Sequence, residues 1–519
     1  MNIDYGTRNF LIVDDFGGFR SMLRGMLQML GAKNIDDAAD GARAIGKMAR
    51  QKYDVILCDY NLGDGQDGQG VLEEAKCRGL VGYSTAFIMI TAENTMRMVM
   101  GAVEYKPDDY LTKPFNKGLL KKRLDKVVGK KADLNRVLVS ADQGDYMRAI
   151  KYCDKEIVEN PRAALDIAKI KGEICLKIKK YDLAEKIYQK VLSVKPLVWA
   201  RLGMGKLFYL RGEYDESIEI LQDLIMENKL LVEAYDLLAL AMQAQGDNEK
   251  AQHILANAVE LSPKAITRQK TLGKIAYENK DLNAAEQALK VSVKLGKNSY
   301  LKSPDDHFFL GKVLLEQNKA DDALKLILET RKEFKRDDTV SIGTKILEAM
   351  AFKKKGSDEA GRRIFQDACK EFSNGMQALP KQIVADMVDA CEQFGEGEMS
   401  EVLHKALKGA KGEKINLSSS GAMDSFEYLR MNMLGIELYS EGKVEEAATL
   451  FEKSATKLRT NISVNMNAAQ TLLELTSASG KPEKAVLKRI RRYLDQAKKI
   501  DSSNEKYEKL EVLYTQVVA

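Results

Sequence analysis

The 519-residue chain is too long for a single hydrophobic core and amounts to about three domain equivalents, or to one domain followed by an extended array. Its 81 basic residues nearly balance 76 acidic ones, for a formal net charge of +5, and the two signs are mixed throughout, which excludes the basic stripe of a nucleic-acid-binding surface. Six cysteines (Cys58, Cys77, Cys153, Cys175, Cys369, Cys391) form no CxxC pair, no apolar run reaches about 18 residues, and the opening Met1–Gly6 carries no basic-then-apolar signal. The expectation is a cytoplasmic protein with reduced thiols and no membrane insertion.

Three short apolar runs mark the first quarter: Phe10-Leu11-Ile12-Val13, Val55-Ile56-Leu57-Cys58 and Phe87-Ile88-Met89-Ile90. Runs of this length, alternating with helical patterns, read as buried parallel strands. Asp14 and Asp15 follow the first, Asp59 the second and Thr91 the third, which places all four at strand C-termini. In an open α/β sheet that edge is where ligands bind. Three carboxylates gathered there repel, each pair by roughly 4 kcal/mol at 4 Å and an effective dielectric of 20, so the cluster calls for a cation. A hard octahedral ion that takes one or two carboxylates and a phosphate oxygen fits, namely Mg²⁺. Lys113, within Thr112-Lys113-Pro114, adds a compact positive charge suited to a phosphoryl group in transfer.

These residues, in this order and with Tyr110, resemble the receiver domain of two-component response regulators over roughly residues 8–128. The resemblance implies a doubly wound α/β receiver with a five-stranded parallel sheet in the order 2-1-3-4-5. It further implies that Asp59 is the phospho-acceptor and that Mg²⁺ is held by Asp14, Asp15, Asp59 and the backbone carbonyl of Asn61. Thr91 would hydrogen-bond the phosphoryl group, Lys113 would pair with it, and Tyr110 would be the aromatic switch. Asn61 and Glu93 occupy positions that tune phosphate lifetime, the Lys113–Pro114 bond is expected to be cis, and the surface responding to phosphate falls at about 94–128. The phosphodonor would be a sensor histidine kinase or a phosphotransfer protein. One departure is visible: the loop Tyr60-Asn61-Leu62-Gly63-Asp64-Gly65-Gln66-Asp67-Gly68 is one residue longer than the common pattern, with Gly63 where Pro is usual.

Beyond residue 130 the chain is rich in Ala, Leu, Lys and Glu at helical spacing. Look-alike segments end on small residues at 149, 184, 217, 251, 285 and 323, separated by 35, 33, 34, 34 and 38 positions. This is the tetratricopeptide period, nominally 34. Gly172, Gly205, Gly273 and Gly311 lie twelve residues before four of those positions, and Pro161, Pro196 and Pro263 twelve after three. Small residues let paired helices approach, proline stops one helix before the next, and a hairpin that cannot bury its own apolar face must stack on another. An all-α tetratricopeptide superhelical solenoid is therefore expected.

The expected layout is a receiver at 1–128, a linker at 129–134, and a repeat array at 135–410 that degenerates after about 340. A mobile loop at 411–425 and C-terminal repeats with a capping helix at 426–519 complete it. Lys206, Lys274 and Lys312 each follow the motif glycine, and in this repeat type that position tends to face the concave groove. Three ammonium groups along one wall would suit an acidic peptide, against the plainer reading of three solvated lysines. Receiver followed by repeats resembles the domain order of VieB-like proteins, whose implied output is scaffolding or inhibition of a protein partner. No nucleophile or ligand spacing surrounds the dispersed His253, His307 and His404, so no chemistry is expected beyond the receiver's own phosphorylation and dephosphorylation. The alternative is a phosphorylation-independent scaffold or co-chaperone with a vestigial receiver.

Overall fold

The computed structural model describes residues 3–63, 65–92, 106–374, 378–409, 414–415, 422–480 and 483–518. Five strands, β1 (Asn9–Val13), β2 (Asn34–Ala38), β3 (Val55–Asp59), β4 (Ala86–Thr91) and β5 (Asp109–Thr112), form one parallel sheet in the order β2-β1-β3-β4-β5. The pairing reverses direction beside β1, so a crevice opens between the C-terminal ends of β1 and β3.

Successive side chains of a strand point to opposite faces, and here both faces are covered. Phe10, Ile12, Leu57, Ile88 and Leu111 pack with Leu23 and Leu27 of α1 (Gly17–Met29) and with Leu120, Leu124 and Val128 of α4 (Lys117–Asp133). Leu11, Val13, Ile56, Cys58, Phe87 and Met89 pack with Ala44, Ile45 and Met48 of α2 (Gly41–Met48) and Val71, Leu72 and Ala75 of α3 (Gly68–Cys77). This double cover is why the three central strands read as unbroken apolar runs. The edge strands β2 and β5, Asn34-Ile35-Asp36-Asp37-Ala38 and Asp109-Tyr110-Leu111-Thr112, carry no such run.

Residues 129–133 of the expected linker are the end of α4, which runs through Asp133, and the next helix begins at Asn135. That Lys- and Ala-rich end contains no proline and only Gly129 to weaken it. From there helices alternate in antiparallel hairpins, among them Ala164–Lys177 with Tyr181–Leu192 and Val198–Arg211 with Tyr214–Glu227. The motif glycines Gly172, Gly205 and Gly273 stand where one helix of a hairpin presses on the next. A Cβ on Gly172 would lie 2.7 Å from the Tyr188 ring, and one on Gly273 2.6 Å from Leu289. Asp145, Asp247 and Asp281 cap their helices by accepting from the backbone N–H of Arg148, Lys250 and Ala284.

The chain divides into two compact units, Met1–Asp306 and His307–Ala519. The first holds the receiver and the regular repeats. The second continues in helical hairpins, including Asp338–Lys354 with Asp358–Asn374 and Ile462–Ser479 with Lys484–Ile500, and ends on Glu505–Val518. Part of the stretch expected as a mobile loop is ordered: Lys414–Ile415 pairs antiparallel with Leu379–Pro380, and a helix begins at Ala422. No helix among the described residues is long and apolar enough to cross a membrane.

Candidate functional site

The sheet's topology brings the strand-end residues together. One carboxylate oxygen from each of Asp14, Asp15 and Asp59 lies within 4.8 Å of the others. Asp14 is 1% exposed and Asp59 7%, while Asp15 is open to solvent. Lys113, from the turn after β5, spans the pocket, its Nζ 2.9 Å from Asp14 Oδ2 and 3.1 Å from Asp59 Oδ1. The Lys113–Pro114 peptide is cis.

Burial pushes the Asp59 carboxyl up to about 6; Lys113 pulls the other way, and the nearby Asp14 and Asp15 charges add to the rise. Burial alone would lower the Lys113 ammonium, but its hydrogen bonds and charge contacts with Asp14 and Asp59 outweigh that and hold it above the ordinary lysine range. The pocket is therefore a buried anionic site that one lysine only partly neutralises. Two carboxylates and a third at the solvent edge, all reachable by one small ion, match the oxygen donor set that Mg²⁺ takes.

The other expected residues occupy different places. Thr91 ends β4, buried and opposite Thr112 of β5, and its carbonyl accepts the Lys113 N–H at 2.8 Å, which ties the lysine's turn to the sheet. Tyr110 sits opposite Met89 in the β4–β5 register, half-buried against the cluster that contains Phe87 and Met89, and burial pushes its hydroxyl up to about 12. Asn61 is exposed, and its side-chain oxygen accepts from the Gly63 N–H at 3.4 Å within its own loop. Glu93 and the whole stretch 94–105 lie outside the described residues, and with them the start of the surface expected to respond to phosphate.

Three residues shape the pocket without having been picked out from sequence. Arg20 on α1 donates to the carbonyls of Asp14 at 2.6 Å and Asp15 at 3.1 Å and so fixes the acidic turn. Phe19 lies under Lys113, whose Nζ is 3.9 Å from the ring centroid. Gly68 opens α3 directly against the acceptor strand: its N–H donates to the Tyr60 carbonyl at 2.8 Å, and a Cβ there would stand 2.1 Å from the Asp59 carbonyl oxygen. Arg20 and Phe19 carry no motif, but a glycine nine residues after the aspartate was a readable signal for a close approach.

The groove lysines fare unequally. Lys206 is exposed and lines a cavity of about 1270 Å³ with Trp199, Glu173 and Arg268 of the array and Lys76, Tyr83 and Lys106 of the receiver. Lys274 is half-buried, and that burial lowers its ammonium, with Lys270 adding to the effect. Lys312, in the second unit, is ion-paired to the buried Asp386, so its charge is already matched.

An acidic trio and a lysine at the switch point of a doubly wound parallel sheet define a class of α/β domain whose ligand crevice carries the oxygen donor set of a hard cation. A family model described as the response regulator receiver domain matches residues 10–125, and one for the tetratricopeptide repeat matches residues 170–196. Chemotaxis protein CheY-3 of Vibrio cholerae is 31% identical over 117 residues, which are 22% of this chain and 88% of that protein. Chemotaxis protein CheY of Pseudomonas aeruginosa is 28% identical over 117 residues, covering 93% of its length. Among solved structures, chemotaxis protein CheY4 of Vibrio cholerae is 28% identical, over 23% of this chain and 98% of that one, with a TM-score of 0.22. The chain belongs to the response regulator receiver family through its N-terminal quarter, and that receiver is followed by tetratricopeptide repeats.

Proposed function

We propose that this protein is a response regulator of a two-component phosphorelay, phosphorylated on Asp59, whose repeat array binds a protein partner in a phosphorylation-dependent way. The convergence of Asp14, Asp15, Asp59 and Lys113 on one buried pocket carries the reading. In it, a carboxylate oxygen of Asp59 attacks the phosphorus of a phosphohistidine or of acetyl phosphate. The new P–O bond forms as the bond to the imidazole nitrogen or the acetate oxygen breaks, and the leaving group keeps that electron pair. Lys113 stabilises the charge that collects on the phosphoryl oxygens, and Thr91 orients one of them. Mg²⁺, held by Asp14, Asp15, Asp59 and the Asn61 carbonyl, supplies charge neutralisation when bound. Tyr110, beside the β4–β5 edge, is the side chain that passes the change outward.

The array is the output, because nothing after the receiver offers a nucleophile with a base or a DNA-reading element. Lys206, exposed at the cavity with Trp199, is the lysine of the three most open to an acidic segment; Lys274 is half-buried, and the charge of Lys312 is matched by Asp386.

The test is labelling of the full chain with acetyl phosphate and Mg²⁺. Wild type should incorporate phosphate and D59N should not. Equal labelling, or none in either, would leave a phosphorylation-independent scaffold as the better description.

A further inference from the structure

Two irregularities of the sequence meet in space. The first is the lengthened loop after Asp59. The second is the stretched repeat interval of 38 between residues 285 and 323. Earlier helix pairs are joined by the short connectors 193–197, 228–231 and 262–265, whereas Leu282–Gly296 is followed by the longer connector 297–303. Asn298 of that connector donates from Nδ2 to the Gly65 carbonyl at 3.2 Å, and the Ser299 hydroxyl donates to the Glu73 carboxylate on α3. Glu73 is 7% exposed, so this contact is not a solvated surface pair. The connector is braced from within: the Leu301 N–H donates to Ser299 Oγ at 2.9 Å, and the Ser299 N–H to the Gly296 carbonyl at 2.9 Å.

Gly63 and Gly65 of the receiver loop both have positive φ, +73° and +109°, conformations that side chains rarely adopt. At one end Gly63 lies against the acidic trio, where a Cβ would be 3.3 Å from Asp15 Oδ2; at the other, Gly65 is held by Asn298. Gly63 thus borders the space beside Asp15, and the two connector bonds hold Gly65 of the loop and Glu73 of α3.

We propose that the connector 297–303 is an autoinhibitory clamp, docked on the loop of the unphosphorylated receiver and released when Asp59 is phosphorylated. This rests on Asp59 being the acceptor. The route differs from the 94–128 surface that the family resemblance implies, and it hands the signal directly to the repeats. Linkage makes the effect reciprocal: if phosphorylation weakens the clamp, the clamp weakens binding of a phosphoryl group by the same factor.

The experiment uses the full chain, beryllofluoride with Mg²⁺ as the phosphoryl analogue, and three proteins: wild type, the double variant N298A/S299A, and S299T, which keeps the hydroxyl. Titration should show the double variant binding beryllofluoride at least threefold more tightly than wild type, with S299T unchanged. Amide exchange across 296–303 should rise at least fivefold in wild type on adding beryllofluoride, and should already be fast in the double variant without it. Equal affinity in wild type and double variant, or exchange in the connector indifferent to beryllofluoride, overturns the clamp while leaving Asp59 as acceptor. Failure of wild type to bind beryllofluoride at all removes the acceptor assignment, and the clamp with it.

Discussion

The receiver and the array solve opposite problems with the same kinds of residue. In the receiver, each pocket residue comes from a different strand end: Asp14 and Asp15 after β1, Asp59 on β3, Thr91 on β4 and Lys113 after β5. No two segments are alike, and the chemistry exists only where they converge. In the array, one arrangement recurs about every 34 residues, a glycine against a large side chain and an aspartate at a helix start, and each unit touches chiefly its neighbours. Chemistry is concentrated where contacts are non-local; surface is multiplied where they are local.

Glycine sharpens that contrast most. Gly68 faces backbone, with the Asp59 carbonyl oxygen 2.1 Å from where a Cβ would be, while Gly273 faces a side-chain atom, Leu289 Cγ, at 2.6 Å. G68A should cost roughly 3 kcal/mol or more, because neither α3 nor β3 can retreat without disturbing the sheet. Thermal unfolding should show the receiver transition lost or strongly lowered with the helical signal of the array retained. G273A should cost about 1–3 kcal/mol, spread over adjoining repeats, since Leu289 can change rotamer. Equal losses in the two variants would erase the distinction.

The pocket's charge is the next lever. K113A should slow labelling by acetyl phosphate on the order of 100-fold, the loss expected when one preorganised positive group is removed from a buried site. The same variant should leave array helicity unchanged in circular dichroism.

A stability measurement without divalent ions tests the pocket independently of phosphate. The Asp59 carboxyl is raised by burial to about 6 from the ordinary aspartate range, so the folded state holds its proton more tightly than the unfolded state does. Its ionised form therefore destabilises the fold fully above about pH 6, and this cost disappears as pH falls towards 4. The size is on the order of 2–3 kcal/mol. D59N should recover a comparable amount at pH 8 and little at pH 4, read as denaturant midpoints. A variant equally stabilised at both values would mean that burial of charge is not the cause. The smallest effect belongs to the array: D281A removes the cap that accepts from the Ala284 N–H and should cost about 1 kcal/mol, felt locally in hydrogen exchange.

Much of this was readable because each signal was local. Residues 10–13, 55–58 and 87–90 are apolar without alternation because helices cover both sheet faces, and this alone indicated parallel strands. The repeat period came from spacing, and the glycine positions proved to be helix contacts. Strands β2 and β5 were not readable from their sequences, since edge strands need not be apolar. The helical state of 129–133 was not legible there, because lysine and alanine suit a helix as readily as a polar connector. Lys312 had the right spacing for a groove lysine, yet its partner Asp386 lies 74 positions away, beyond the reach of any periodicity.

By itself, then, the sequence determined which elements form and which ionisable groups stand at their ends, because propensity, apolar patterning and repeat spacing are properties of short windows. Only the tertiary structure decided which of those ends meet. The reversal of strand order beside β1 gathers two buried carboxylates, a third at the solvent edge and a lysine into one pocket. The lengthened connector at 297–303 reaches the loop after Asp59 only because folding brings residues more than two hundred positions apart within hydrogen-bond distance.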